Sequence, residues 1–160
     1  MTSDKKVRLA DIVKEENIVA ELAAGDKESA IKELVAALVT SGSLTKRAAK
    51  GVADSILERE KLGSTGIGNG VAVPHAKIAG KGEPFGAMGR AKGGLDFASL
   101  DGARTHTIFL FISPEGAPNK HIALMSRFMT LLRKADFVSF LRQTDGRGKL
   151  HDLLAEVDAW

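Results

Sequence analysis

Residues 107–112 read Thr-Ile-Phe-Leu-Phe-Ile, β-branched or aromatic except at Leu110 and apolar at every position but the first. A strand with one face in water alternates apolar and polar residues. This one does not, which predicts a strand central in its sheet. Working outward on the C-terminal side, residues 114–118 are a loop. A helix is then expected from Asn119 or its neighbours, with Ile122, Met125, Phe128, Met129 and Leu132 inward. Asp136 is placed to cap a short helix burying Phe137, Phe140 and Leu141. Asp145-Gly-Arg-Gly148 reads as a turn before a last helix carrying Leu150, Leu153, Leu154 and Val157 on one stripe.

On the N-terminal side, Asp101-Gly102 and residues 94–97 mark turns, and residues 85–91 read as a second strand with a bulge at its glycines. Asp26 offers an N-cap to a helix with Ile31, Leu34, Val35 and Leu38 inward, ended by Gly42. Thr45 caps the next, which buries Ala49, Val52, Ala53 and Ile56. Residues 7–22 stay open between one helical turn at Leu9, Ile12 and Val13 and an extended stretch from Ile18. Helices, then strands, then helices describe an α/β or α+β domain with a mixed sheet. The 160 residues suit a single domain, 1–160.

Apolar residues make up 44% and charged residues 27%, an ordinary globular balance. The absence of cysteine removes disulfides, thiol nucleophiles and cysteine metal sites. No leader follows the opening MTSDKK, and no apolar run approaches the ~20 residues that span a bilayer. The expectation is a soluble, cytoplasmic protein without membrane insertion. The 23 basic residues are scattered among 20 acidic ones and tyrosine is absent, so nucleic acid is not an expected partner.

Chemistry concentrates in residues 58–77, EREKLGSTGIGNGVAVPHAK. Gly66, Gly68 and Gly70 permit φ > 0 and close approach of a ligand to backbone N–H groups, which in such a loop can converge on an anion. The other reading is a plain glycine-rich turn before a strand. Pro74 biases Val73 toward extended geometry, so His75 arrives at a stiff strand end. Arg59 falls seven residues after Val52, near the inward stripe of its helix. It is either a surface arginine whose stem covers apolar area or a guanidinium aimed at His75. His121 opens a helix in line with Met125, Phe128 and Leu132. It is either a hydrogen-bonded packing residue or a site residue placed at a positive dipole end. His106 and His151 have no motif around them.

The seventeen residues from Arg59 to His75 resemble the active-site signature of the enzyme IIA components of the bacterial phosphoenolpyruvate-dependent phosphotransferase system, fructose/mannitol class. Within that class they are most similar to the nitrogen-regulatory paralogue. The resemblance implies a three-layer domain with helices on both faces of a mixed sheet. It covers the chain from Leu9 to about Val157, with residues 80–94 looser than the family pattern, which leaves the outer strand open. It implies that His75 accepts a phosphoryl group from an HPr-like phosphocarrier protein and passes it to an enzyme IIB or a regulatory target. It also implies that the family's phosphate-binding arginine is Arg59 and that His121, in His-Ile-Ala-Leu-Met, is the second active-site histidine.

The residues support that chemistry. A neutral imidazole, with an ordinary pKa near 6.5, is a competent nucleophile at neutral pH. Phosphoryl transfer then needs in-line positioning and stabilisation of charge on the equatorial oxygens. Arg59, His121, the Ser64 and Thr65 hydroxyls and the N–H groups around Gly66, Gly68 and Gly70 are the expected donors, with no metal and no cofactor. Ile67, Val71, Ile78, Met125 and Phe128 are the expected rim for docking partners. A metal hydrolase would need a third ligand, and the sequence has no His-Glu-x-x-His or His-x-His spacing. A nucleotide-binding loop would need Gly-Lys-Ser/Thr after its glycines. The strongest rival is a purely regulatory protein on the same fold, phosphorylated on His75 but without a sugar.

Overall fold

Strand β6 (Thr105–Pro114) holds the sheet together, with pairing partners on both edges. The computed structural model describes residues 7–160; residues 1–6, part of the stretch read as lacking a leader, lie outside it. Strand β5 (Phe85–Leu95) runs antiparallel to β6 in unbroken register from Phe85 to Arg90, so the bulge expected at Gly86 and Gly89 is absent there and the register shifts only between Arg90 and Leu95. On the other edge β3 (Val71–Ala72) and β4 (His75–Ile78) pair with β6 in parallel, one after the other. Strand β2 (Gly66–Gly68) closes that side as a hairpin on β3, and β1 (Ile18–Val19) adds parallel to β5. The order is β1-β5-β6-β3-β2, a mixed sheet.

Alternation along β6 builds two cores. Phe109 and Phe111 face a layer formed by α1 (Leu9–Ile12), α4 (Pro118–Leu132), α5 (Ala135–Gln143) and α6 (Arg147–Val157). Ile108, Leu110 and Ile112 face α2 (Lys27–Thr40) and α3 (Lys46–Leu62). The α/β fold with helices on both faces is therefore as the sequence implied. Phe128 of α4 packs edge-on against Phe109 and Phe111, with centroids 4.8 and 5.1 Å away. Such aromatic pairs contribute about 0.5–1.5 kcal/mol each beyond area burial.

The caps at α2 and α3 form as expected: the Asp26 carboxylate accepts from Ser29 N at 2.8 Å and Thr45 Oγ1 from Ala48 N at 3.2 Å. Three further expectations fail. Lys134, not Asp136, stands at the N-cap of α5, and Phe140 is 42% exposed. On α4 the buried stripe is Leu124, Phe128, Leu131 and Leu132, while Ile122 is 63% exposed. Helix α4 carries two neighbouring apolar stripes, and contact with the Phe109–Phe111 face chooses between them. Residues 80–94, whose looser pattern left the outer strand open, supply all but the last residue of an eleven-residue strand with neighbours on both sides.

The glycines of β5 explain that last difference. A Cβ on Gly86 would lie 2.4 Å from the Leu110 carbonyl oxygen and 2.9 Å from Phe111. One on Gly89 would meet Leu22 and Leu34 at 2.9 Å. They are there for close packing. Gly86→Ala should cost about 1–3 kcal/mol by overpacking against rigid backbone. Urea unfolding measures this, and a loss below about 0.5 kcal/mol would show that β5 gives way freely.

Candidate functional site

His75 opens β4 opposite Phe111 of β6, and Lys77 lies opposite Ser113. Their neighbour Ala76 belongs to the core under α2 and α3, so His75 and Lys77 face the α4 side. The approach to His75 is shaped by Pro74, which has no N–H to give the ladder. Pro74 O accepts from Phe111 N at 3.0 Å, and Val73 N turns the other way to Thr65 O at 3.0 Å. The Val73 carbonyl accepts instead from His75 Nδ1 at 2.9 Å. A carbonyl can only accept, so Nδ1 carries the proton and Nε2 keeps its lone pair. The ring is half-buried, its tautomer set by its own chain.

His121 is in the fourth position of α4, a helix started by Pro118 at N1. Its Nδ1 lies 2.7 Å from the hydroxyl of buried Ser113. The His75 and His121 rings stand 5.6 Å apart between centroids, tilted by 40°. Burial holds the His121 pKa below its usual value, and the neighbouring His75 and Lys77 lower it further. The two histidines named from sequence are therefore brought together. Lys77 beside them was not singled out, although the two-residue period of a strand puts it on the His75 face.

The other expected phosphate ligands are differently employed. Asn69-Gly70 forms the two-residue turn of the β2–β3 hairpin, with φ of 57° and 77°. Left-handed geometry at both central residues is the Asn-Gly hairpin signature. Gly70 O accepts from His106 N and Thr107 N, at the β6 level four residues before Phe111. That is about 13 Å along the strand from His75, so Gly68 and Gly70 are not brought to it. Asn69 N donates to Asp101 Oδ2 at 3.1 Å, and a Cβ on Gly66 would meet Ser99 Oγ at 2.3 Å. These glycines serve a turn and a close contact.

Ser64 donates its hydroxyl to Phe97 O and accepts from Gly66 N at 2.9 Å. Thr65 is buried, its hydroxyl and N–H both on the carboxylate of Glu60. The inward position at the end of α3 belongs to Glu60, not Arg59, and Lys27 Nζ pairs with it at 2.8 Å. Arg59 is half-buried and donates from Nη1 to Gly63 O at 2.8 Å, its other N–H groups making no hydrogen bond to the described residues. Of the expected rim, Val71 and Phe128 are core residues, while Ile67, Ile78 and Met125 are partly exposed. Among the described residues no cluster of three or more His, Cys, Asp or Glu could hold a metal ion. No helix among them is long and apolar enough to cross a membrane.

A three-layer mixed-sheet domain with paired histidines on a strand start and a helix start is the class that fold and site define. The family described as "Phosphoenolpyruvate-dependent sugar phosphotransferase system, EIIA 2" matches residues 11–157, and the chain belongs to it. It is 35% identical over 152 residues to the "PTS system fructose-specific EIIABC component" of Bacillus subtilis, covering 95% of this chain but only 24% of that protein. It is 35% identical to a "Nitrogen regulatory protein" of Bradyrhizobium diazoefficiens, over 92% of this chain and 94% of the relative. The crystal structure of Nitrogen Regulatory Protein IIA-Ntr from Neisseria meningitidis matches with a TM-score of 0.79 at 28% identity, covering 91% and 97% of the two chains. A complex of enzyme IIAMTL and phosphorylated enzyme IIBMTL from Escherichia coli shares the fold, with a TM-score of 0.68 at 22% identity over 88% and 95%.

Two outcomes follow from this geometry. Glu60→Ala strips a buried acceptor from Thr65 and Lys27 and should lower stability by about 2 kcal/mol in urea unfolding; wild-type stability would remove Glu60 as the anchor of residues 63–65. An NMR titration should place the His121 midpoint below the ordinary 6.5. The folded chain then binds this proton less readily than the unfolded one. His121 thus contributes stability above pH 6.5 that is lost as pH falls through its folded midpoint. His75→Gln should raise that midpoint, and a wild-type midpoint at or above 6.5 would contradict the assigned causes.

Proposed function

We propose that this chain is a phosphoryl carrier acting through Nε2 of His75. The observation that carries the reading is the His75 Nδ1 bond to Val73 O, which leaves Nε2 as the nucleophile beside His121. The lone pair of Nε2 attacks the phosphorus of a phosphohistidine on an HPr-like carrier. The new N–P bond forms as the donor's N–P bond breaks, and the donor imidazole leaves with that electron pair. With the Ser113 hydroxyl donating to His121 Nδ1, His121 Nε2–H is a donor for a phosphoryl oxygen, and Lys77 and the unused N–H groups of Arg59 supply further positive charge. The whole chain, 1–160, acts as one such domain in the cytoplasm. The group then passes to an enzyme IIB or stays as a regulatory signal in nitrogen, carbon or potassium control. The near full-length likeness to a nitrogen regulatory protein favours the second outcome.

Incubation with phosphoenolpyruvate, enzyme I and HPr should add one acid-labile, base-stable phosphoryl group, read by mass spectrometry. His75→Ala should abolish it, and full labelling of that folded variant would sink the proposal. His121→Ala should still be labelled but exchange the group at least tenfold more slowly, about 1.4 kcal/mol of lost stabilisation. Unchanged exchange would return His121 to a packing role.

A further inference from the structure

The hairpin tip at Asn69-Gly70, the start of β6 and helix α5 enclose a cleft of about 800 Å³ that includes neither His75 nor His121. His106 and Phe111, the partner of His75, are five residues apart on β6, which sets the cleft about 16 Å along the strand from His75. Arg104, Arg133 and Arg142 all line it, together with His106, and no carboxylate does. Three guanidiniums sharing a cleft without a lining counter-charge leave an unmet positive field.

Two of the three arginines are held in place. Arg104 donates from Nε to Gly93 O at 3.2 Å and from Nη2 to Gly94 O at 2.9 Å. His106 Nδ1 donates to Ala91 O at 3.3 Å, so its Nε2 is an acceptor, and Arg142 Nη2 donates to it at 3.3 Å. A neutral histidine thereby orients a cation instead of adding to it. Arg133 lines the same cleft and makes no hydrogen bond or ion pair through its side chain to any described residue. Leu132 and Val138 give the cleft an apolar wall, which continues into a smaller recess of about 150 Å³ reaching Ile67 and Met129.

Planar guanidinium forks match phosphate oxygens two at a time, and the space is within the range of about 300–1,000 Å³ usual for small-molecule sites. The apolar wall suits an organic body that inorganic phosphate lacks. We propose that this cleft binds a small organic phosphate, its phosphoryl group on Arg133 and Arg142 and its body against Leu132 and Val138. The site is independent of the phosphoryl group assigned to His75.

The test is titration of the ¹⁵N-labelled full chain with AMP and glucose 6-phosphate at constant ionic strength, with inorganic phosphate and sulfate as controls. Expected are saturable amide shifts at Asn69, Gly70, Ser139 and Arg142, with at least one organic phosphate binding tenfold or more tightly than the inorganic ions. Arg133→Gln with Arg142→Gln should weaken that binding at least tenfold while leaving thermal unfolding and His75 labelling unchanged. Should the double variant fail to fold, Arg133→Gln alone, at a side chain without partners, should still weaken binding. Inorganic ions matching the organic phosphates would mean an adventitious ion only and overturn the proposal. So would shifts centred on His75, variants that bind as wild type, or a response to hexaglutamate peptide alone.

Discussion

Both imidazoles of the candidate site are fastened to strand β6, by different forces and from different directions. Backbone hydrogen bonding in the plane of the sheet places β4, so His75 stands opposite Phe111. Packing across the face places α4, because Phe128 sits edge-on between Phe109 and Phe111. About two turns N-terminal to Phe128, Ser113 of the same strand takes hold of His121. Any slip of α4 along β6 would have to break an aromatic cluster and the partly buried Ser113–His121 hydrogen bond together. The 5.6 Å separation of the rings is thus set by β6, with no direct bond between the histidines needed.

Pro74 makes the second contribution. An ordinary residue there would carry an N–H that needs an acceptor. Proline has none, so pairing with β6 is interrupted between β3 and β4, while the Val73 carbonyl, on the edge away from β6, accepts from the His75 ring. The stretch leading in is tied from the opposite side by Glu60, whose buried carboxylate links α3 to Thr65 and to Lys27 at the start of α2. The rigid frame around His75 is made of main-chain bonds and one buried acid.

Much of this was legible in the residues. The unbroken apolar run of β6 announced a two-faced strand, whereas Pro-His, read as a strand end, proves to be the start of β4 because pairing with β6 resumes past the proline. The glycines misled because Gly-x-Gly-x-Gly suits both an anion loop and a hairpin. Asn69-Gly70 was the local signal for the hairpin, and Gly86 and Gly89 needed knowledge of Leu110 and Leu22 that no local window contains. Glu60 took the inward place expected for Arg59 because two adjacent positions differ by about 100° on a helix. Which of them turns in depended on Lys27, more than thirty residues away.

The depressed pKa of His121 is a property of the site at rest. Burial is the main cause, and the neighbouring His75 and Lys77 add to it. On the proposed function, phosphorylation replaces the first of those neighbours with a group bearing close to two negative charges. The Coulomb contribution from that side then reverses sign, and proton uptake by His121 becomes favourable where it was opposed. Lys77 no longer repels a lone cation but shares with His121 the charge of the phosphoryl oxygens. Lys77 and His121 would therefore brace the loaded site together.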